Sequence, residues 1–245
     1  MYSSLFFGIF VSVKGKLFLI PSPLGEYDPS LVLPQPVLQT IAQLKCFVVE
    51  ELRTARRFLS AAGLKGQIQG LEFHVLNEHS TKEEIESLGK LFEVSDVGLI
   101  SEAGLPAVAD PGAELVALCH RRGVEVVPLT GPSSLMLALM ASGLNGQSFA
   151  FRGYLPAKTD ERRTAIKDIE HLSKQLNQSQ IFIETPYRND ALMEDLLKNL
   201  QPSTRLTVAR DLTLPEAYIR TFTVAHWRSA PAIIGKRPCV FIILA

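Results

Sequence analysis

The chain has 245 residues, with 25 Lys plus Arg against 25 Asp plus Glu and a formal net charge of zero. Its 47% hydrophobic and 20% charged residues are ordinary globular composition, which excludes a disordered or low-complexity chain. The zero net charge also excludes a protein that coats nucleic acid by bulk electrostatics, though not one with a local basic patch.

Tyr2 to Val13 is nearly all apolar, has no early charge and is followed by Lys14 and Lys16. A secretion signal has the opposite order, and the run is too short to cross a bilayer as a helix. It is read as an N-terminal extension over 1–14. No other stretch is long and apolar enough to span, so no membrane partner is expected; a cytoplasmic location is expected from Cys46, Cys119 and Cys239, which suit a reducing compartment as free buried thiols.

Short apolar runs then alternate with helical patterns. Strands are predicted at Leu17–Ile20, Cys46–Glu50, Phe73–Asn77, Val97–Ser101 and Val124–Leu129. Helices are predicted at Val37–Leu44, Arg53–Ala62, Thr81–Phe92 and Ala113–Arg122. Leu135–Ala141 is apolar on all sides and is expected to be buried. This order argues for βαβ units and a mostly parallel sheet, an α/β fold, over residues 15–147. Beyond Gly143, Asn145 and Gly146 the pattern changes. Strands at Phe149–Leu155, Ile181–Glu184, Arg205–Arg210, Tyr218–Trp227 and Cys239–Leu244, with helices at Thr159–Leu176 and Asp190–Leu200, predict a mixed-sheet α+β domain over 148–245.

Several chemistries are missing. There is no GxxxxGK[ST], GxGxxG or GxSxG. Cys46, Cys119 and Cys239 contain no CxxC pair, and the five histidines form no ligand pair at helical spacing, so neither a disulfide framework nor a metal is expected. Three small-residue loops follow strand ends instead: Pro21-Ser22-Pro23-Leu24-Gly25; Ser101-Glu102-Ala103-Gly104-Leu105-Pro106, continuing to Asp110-Pro111-Gly112; and Thr130-Gly131-Pro132-Ser133-Ser134. In open α/β sheets the carboxyl edge of the strands is where ligands bind. With no lysine in the loops, a shared pocket there suits an uncharged or zwitterionic ligand with a flat ring. Gly131→Trp is expected to fill that pocket while the chain stays folded.

These segments resemble the tetrapyrrole methylase superfamily, the class III S-adenosylmethionine methyltransferases, and within it the branch of small-subunit ribosomal RNA (cytidine-2′-O) methyltransferases. Pro21–Gly25 is similar to that branch's PTPIG, and Glu50-Glu51-Leu52-Arg53 with Arg56-Arg57-Phe58-Leu59 resembles EDTRxTRKLL. Asn77-Glu78 matches HNE, Ser101–Pro106 with Asp110–Gly112 resembles SDAGTPxxxDPG, and Gly131–Ser134 resembles GPSA. Gly153–Pro156 with Glu161-Arg162-Arg163 resembles GFLPxKxxERR, Glu184–Arg188 resembles ESPHR, and Ala209–Thr213 resembles ARELT. Glu102 and Leu105 replace the aspartate and threonine of SDAGTP, and Lys236-Arg237-Pro238 stands where the branch has KGE.

The resemblance implies two α/β domains holding S-adenosylmethionine, in a homodimer. The cofactor-binding residues it implies are those of the three loops (Pro21, Pro23, Leu24, Gly25, Ser101, Glu102, Ala103, Gly104, Leu105, Pro106, Gly131, Pro132, Ser133 and Ser134), joined by Thr185, Ala209 and Pro238. The implied substrate is RNA or the small ribosomal subunit. Arg53, Arg56, Arg57, Arg162 and Arg163 are the candidate phosphate contacts. Glu78 and Asp110, with Glu50 and Glu51, are candidate bases. Methylation of a tetrapyrrole or other small molecule, and a non-catalytic S-adenosylmethionine-binding module, are the competing readings.

Overall fold

The computed structural model describes residues 15–230 and 232–245, so the extension expected over 1–14 lies outside the described residues. The chain divides into two compact units, the second running Ser133–Ala245.

The first unit is a sheet of five parallel strands, β1 (Leu17–Ile20), β2 (Cys46–Val49), β3 (Glu72–Val75), β4 (Val97–Ile100) and β5 (Val126–Pro128), in the order β3-β2-β4-β1-β5. Every residue of β2 and β4 is buried, because helices cover both faces. Helices α1 (Gln35–Gln43) and α2 (Leu52–Leu59) place Val37, Ile41, Phe58 and Leu59 against Ile20, Phe47 and Val49. Helices α3 (Lys82–Leu88) and α4 (Ala113–Arg122) place Ile85, Leu88, Leu115 and Leu118 against Leu17, Val48 and Leu99. Each such side chain contributes about 1.5–3 kcal/mol on burial.

Helix α3 opens on a capping box. The Thr81 hydroxyl accepts from Glu84 N (3.2 Å), and the Glu84 carboxylate accepts from Thr81 N (2.7 Å). Thr81→Ala is expected to cost about 1 kcal/mol, seen as a lower urea midpoint by circular dichroism; an unchanged midpoint would contradict it.

The second unit is a mixed sheet of β6 (Phe149–Tyr154), β7 (Ser179–Ile183), β8 (Arg205–Arg210), β9 (Tyr218–Thr223) and β10 (Cys239–Leu244), in the order β6-β7-β10-β8-β9. Among the described residues of this sheet, β6 and β7 pair in parallel and the other neighbours are antiparallel. Helices α5 (Ser134–Ser142), α6 (Thr159–Leu176), α7 (Asn189–Asn199) and α8 (Val224–Ser229) pack on it.

Three expectations are corrected. Helix α5 packs on β9 and β10, so the division falls before it, at Pro132, rather than at the Gly143–Gly146 turn. The same helix is not buried all round: Leu135, Ala138 and Leu139 face inward, while Met136 and Met140 stay exposed at 43% and 77%. The strand expected through Trp227 stops at Thr223, whose hydroxyl caps α8 by accepting from His226 N (3.3 Å). That turn lets Trp227 enter the core, where its indole N–H donates to Leu206 O (2.8 Å).

Candidate active site

The loops after β1, β4 and β5 meet at the carboxyl edge of the first sheet. Ser22 N donates to Gly104 O (2.8 Å) and Gly104 N donates to Ser22 O (3.0 Å), a two-way bridge that joins the first two loops. The Ser22 hydroxyl adds a bond to Ser101 O (2.9 Å). Gly104 has φ +77, a conformation that favours glycine, and its pro-side-chain direction faces Leu24 (3.4 Å) and Pro132 O (3.8 Å). Gly131 abuts Pro21 so closely that a Cβ would overlap the proline ring and come within 3.1 Å of Leu33. Pro21–Gly25, Ser101–Pro106, Gly131 and Pro132 are therefore brought together. This corrects the expectation for Gly131→Trp: the new side chain would drive into Pro21 and part the loops rather than fill a pocket.

Ala107 and Ala109 also have positive φ, 65° and 63°. Each costs about 1–2 kcal/mol in a non-glycine residue. Strain of this kind gathers at functional loops.

Four carboxylates converge on the same edge. Burial pushes the Glu50 carboxyl above its usual range; a bond from Glu102 N (3.2 Å) opposes this, and the charges of Asp110, Glu102 and Glu78 reinforce it. Burial likewise raises Asp110, against a hydroxyl interaction with Ser101 that lowers it, and Glu102 adds to the rise. Glu78 itself is exposed beside His79 (3.6 Å). Glu51 serves the helix instead. It caps α2, accepting from Arg53 N (2.9 Å) and Thr54 N (2.6 Å), and these bonds hold its carboxyl below the usual range.

A cavity of about 260 Å³ opens beside these groups, between the Ser22–Tyr27 segment, α2 and Glu102–Ala103. Thr54 reaches across it, its hydroxyl within 3.4 Å of Glu102. Tyr27 and Thr54 carry no signal in the sequence, since nothing in their spacing distinguishes them from turn and helix residues.

The arginines divide. Arg53, Arg56 and Arg57 are exposed on α2, Arg56 above the Phe73 ring (5.3 Å) and Arg57 paired with Glu26 (2.9 Å). Arg163 is exposed beside Asp160 (3.7 Å). Arg162 is not available to a phosphate. It is 6% exposed, pairs with Asp195 (2.5 and 2.7 Å) and donates to Ala157 O (2.9 Å).

In the second unit, register gathers Thr185, Ala209 and Pro238. Val240 pairs with both Ile183 and Ala209, so the end of β7, the end of β8 and the start of β10 share one sheet edge. The fully buried Glu184 carboxylate accepts from Thr185 N (2.6 Å) and Arg188 (2.5 Å). Asn189, missed in the sequence, clasps the neighbouring loop by donating to Gly235 O (3.2 Å) and Arg237 O (2.7 Å). Asp211 pairs with Arg210 and Arg237, both at 2.8 Å. Ser133 caps α5, its hydroxyl accepting from Met136 N (3.4 Å), and Ser134 is that helix's first residue.

A family model described as Tetrapyrrole (Corrin/Porphyrin) Methylases matches residues 33–227. The chain is 33% identical over 201 residues to the ribosomal RNA small subunit methyltransferase I of Escherichia coli O157:H7, covering 82% of this chain and 66% of that protein. The chain thus spans slightly less than two thirds of that relative's length. It is 33% identical over 217 residues to the Haemophilus influenzae protein of the same name, covering 88% and 72%. Among solved structures, methyltransferase CobJ superposes with a TM-score of 0.61 at 17% identity over 94% of each chain. Uroporphyrin III C-methyl transferase from Thermus thermophilus does so with 0.59 at 18%, over 94% of this chain and 97% of that one. These two likenesses are of fold.

Proposed function

Because the chain belongs to the tetrapyrrole (corrin/porphyrin) methylase family, we propose that it is an S-adenosylmethionine-dependent methyltransferase acting on small-subunit ribosomal RNA at a ribose 2′-hydroxyl. The observation that carries the cofactor reading is the carboxyl edge of the first sheet. There, bridged small-residue loops lie against four carboxylates with no lysine among them. That surface fits a ligand with cationic centres: burial first, and mutual repulsion second, disfavour charge on Glu50 and Asp110, and the sulfonium and ammonium of S-adenosylmethionine would offset both.

When bound, S-adenosylmethionine supplies an activated methyl group, and the protein's share is chiefly proximity and orientation. The Ser22–Gly104 bridge and the Gly131–Pro21 contact fix the loops in one arrangement. The Asp110 carboxylate is the favoured proton acceptor for a weakly acidic hydroxyl, with Glu50 second: both lie at this edge, and their raised pKa brings proton affinity nearer the working pH. Glu78 is too exposed for that role. Arg53, Arg56, Arg57 and Arg163 carry the RNA reading, as exposed cations on two helices. Thr185 and Ala209 belong to the cofactor reading through the family motifs, and Pro238 through its place at the same sheet edge. A homodimer agrees with the exposed Met136 and Met140 on α5, and a cytoplasmic location with the ribosomal substrate.

Isothermal titration with S-adenosylmethionine and S-adenosylhomocysteine tests the first half; micromolar binding near one site per chain is expected. The affinity of the sulfonium form should be full near pH 7 and fall as acid neutralises Glu50 and Asp110. That loss should begin above their ordinary values of 4.5 and 3.8, because both are raised. No binding by folded protein would overturn the cofactor reading. Labelled methyl transfer to small ribosomal subunits tests the second half. Binding without transfer would remove RNA as substrate and leave the small-molecule reading.

A further inference from the structure

We propose that Cys46, Glu72 and His74 form a binding site for a divalent ion of borderline softness, zinc above all, at the amino-terminal edge of the first sheet. The strand pattern builds it. Glu72 and His74 are two apart on β3 and share a face. Cys46 opens β2 and pairs in register with Glu72, which puts its thiol on that same face. One donor atom from each residue, a sulfur, a carboxylate oxygen and a ring nitrogen, lies within 4.8 Å of the other two. Glu72 and His74 already meet at 2.8 Å.

The donor chemistry selects the ion. Thiolate, imidazole and carboxylate together suit zinc, which takes ligands at about 2.0–2.3 Å, so that two ligands of one tetrahedral ion lie roughly 3.5 Å apart. Binding an ion would require the three donors to close from within 4.8 Å to that spacing. Once the ion displaces the proton that burial keeps on the Cys46 thiol, thiolate and carboxylate together balance a charge of two. Three protein donors leave a fourth position for water, as in open zinc sites.

Burial is graded across the trio. Cys46 is 2% exposed and forms the dry floor, His74 is half-buried, and the Glu72 carboxylate stands at the mouth. The site lies at the opposite strand ends from the Ser22–Gly104 loops, so it is separate from the proposed methyl-transfer site. Its role would be structural. Among the described residues, β3 is an outer strand of four residues, paired to β2 alone. An ion held by both strands would pin it. Histidines at helical spacing do not reveal this set, because strand partners recur at two.

Chelator-stripped, tag-free protein titrated with Co²⁺ is the test. One Co²⁺ per chain is expected, with a near-ultraviolet sulfur-to-cobalt charge-transfer band that Zn²⁺ displaces, and Zn²⁺ should raise Tm by a few degrees. Cys46→Ser and His74→Ala should each abolish the band, and Glu72→Gln should weaken binding at least tenfold. Absence of the band in the wild type would overturn the proposal, as would its persistence in Cys46→Ser, which would move the ion to Cys119 or Cys239. If Cys46→Ser fails to fold, His74→Ala decides, because that side chain sits half-exposed on the outer strand.

Discussion

Asp195→Ala is expected to destabilise the second unit by about 3–5 kcal/mol, because it strands a buried guanidinium. Arg162 and Asp195 are both nearly closed to solvent, and their pairing ties α6 to α7. Removing the carboxylate leaves Ala157 O, among the described residues, as the one acceptor that Arg162 retains. The loss belongs to the uncompensated charge rather than to the pair, so a paired apolar replacement, Arg162→Met with Asp195→Leu, should recover most of it. Trp227, the single tryptophan, lies in this unit's core and reports its unfolding in urea by fluorescence. A loss below about 1 kcal/mol for Asp195→Ala would show that the pair is more hydrated than its burial implies.

Gly131→Ala is expected to weaken S-adenosylhomocysteine binding by tenfold or more while secondary structure is kept. One methyl group suffices, because it must occupy space held by the Pro21 ring, and separating the two disturbs the Ser22–Gly104 bridge next along the chain. Pro21→Gly in the same chain removes the obstacle, so the double variant should bind better than Gly131→Ala alone. That non-additivity is the signature of direct contact. Titration calorimetry on Gly131→Ala, Pro21→Gly and the double variant decides it; unchanged affinity in Gly131→Ala would remove the third loop from the cofactor reading.

Much of this architecture was legible in the sequence because periodicity and punctuation agree. β2 and β4 read as strands since both faces are buried, and α4 stopped where Gly123 takes up a left-handed conformation. The three loops were found because small residues follow apolar strands. What was hidden depends on distance in space. The partner of Arg162 is 33 residues away, so its charge looked free beside Arg163. Helix α5 looked wholly buried because composition records apolarity and not which face meets a sheet. Glu51 and Glu50 are neighbours of one type, yet one caps a helix and the other is forced up by burial; only the direction of each side chain separates them.

The place of β10 in its sheet has a consequence for synthesis. Cys239–Leu244 is the middle strand, buried at all six positions, with β7 on one side and β8 on the other. All five strands of the first sheet have been made by Pro128, so that half has its full complement of pairing partners while translation continues. The other half has a vacant centre until residue 244 has cleared the exit tunnel, with β7 and β8 each lacking a neighbour. For that interval it presents two unpaired edges and an open core, the form in which a nascent chain is most exposed to misassembly and to capture by chaperones.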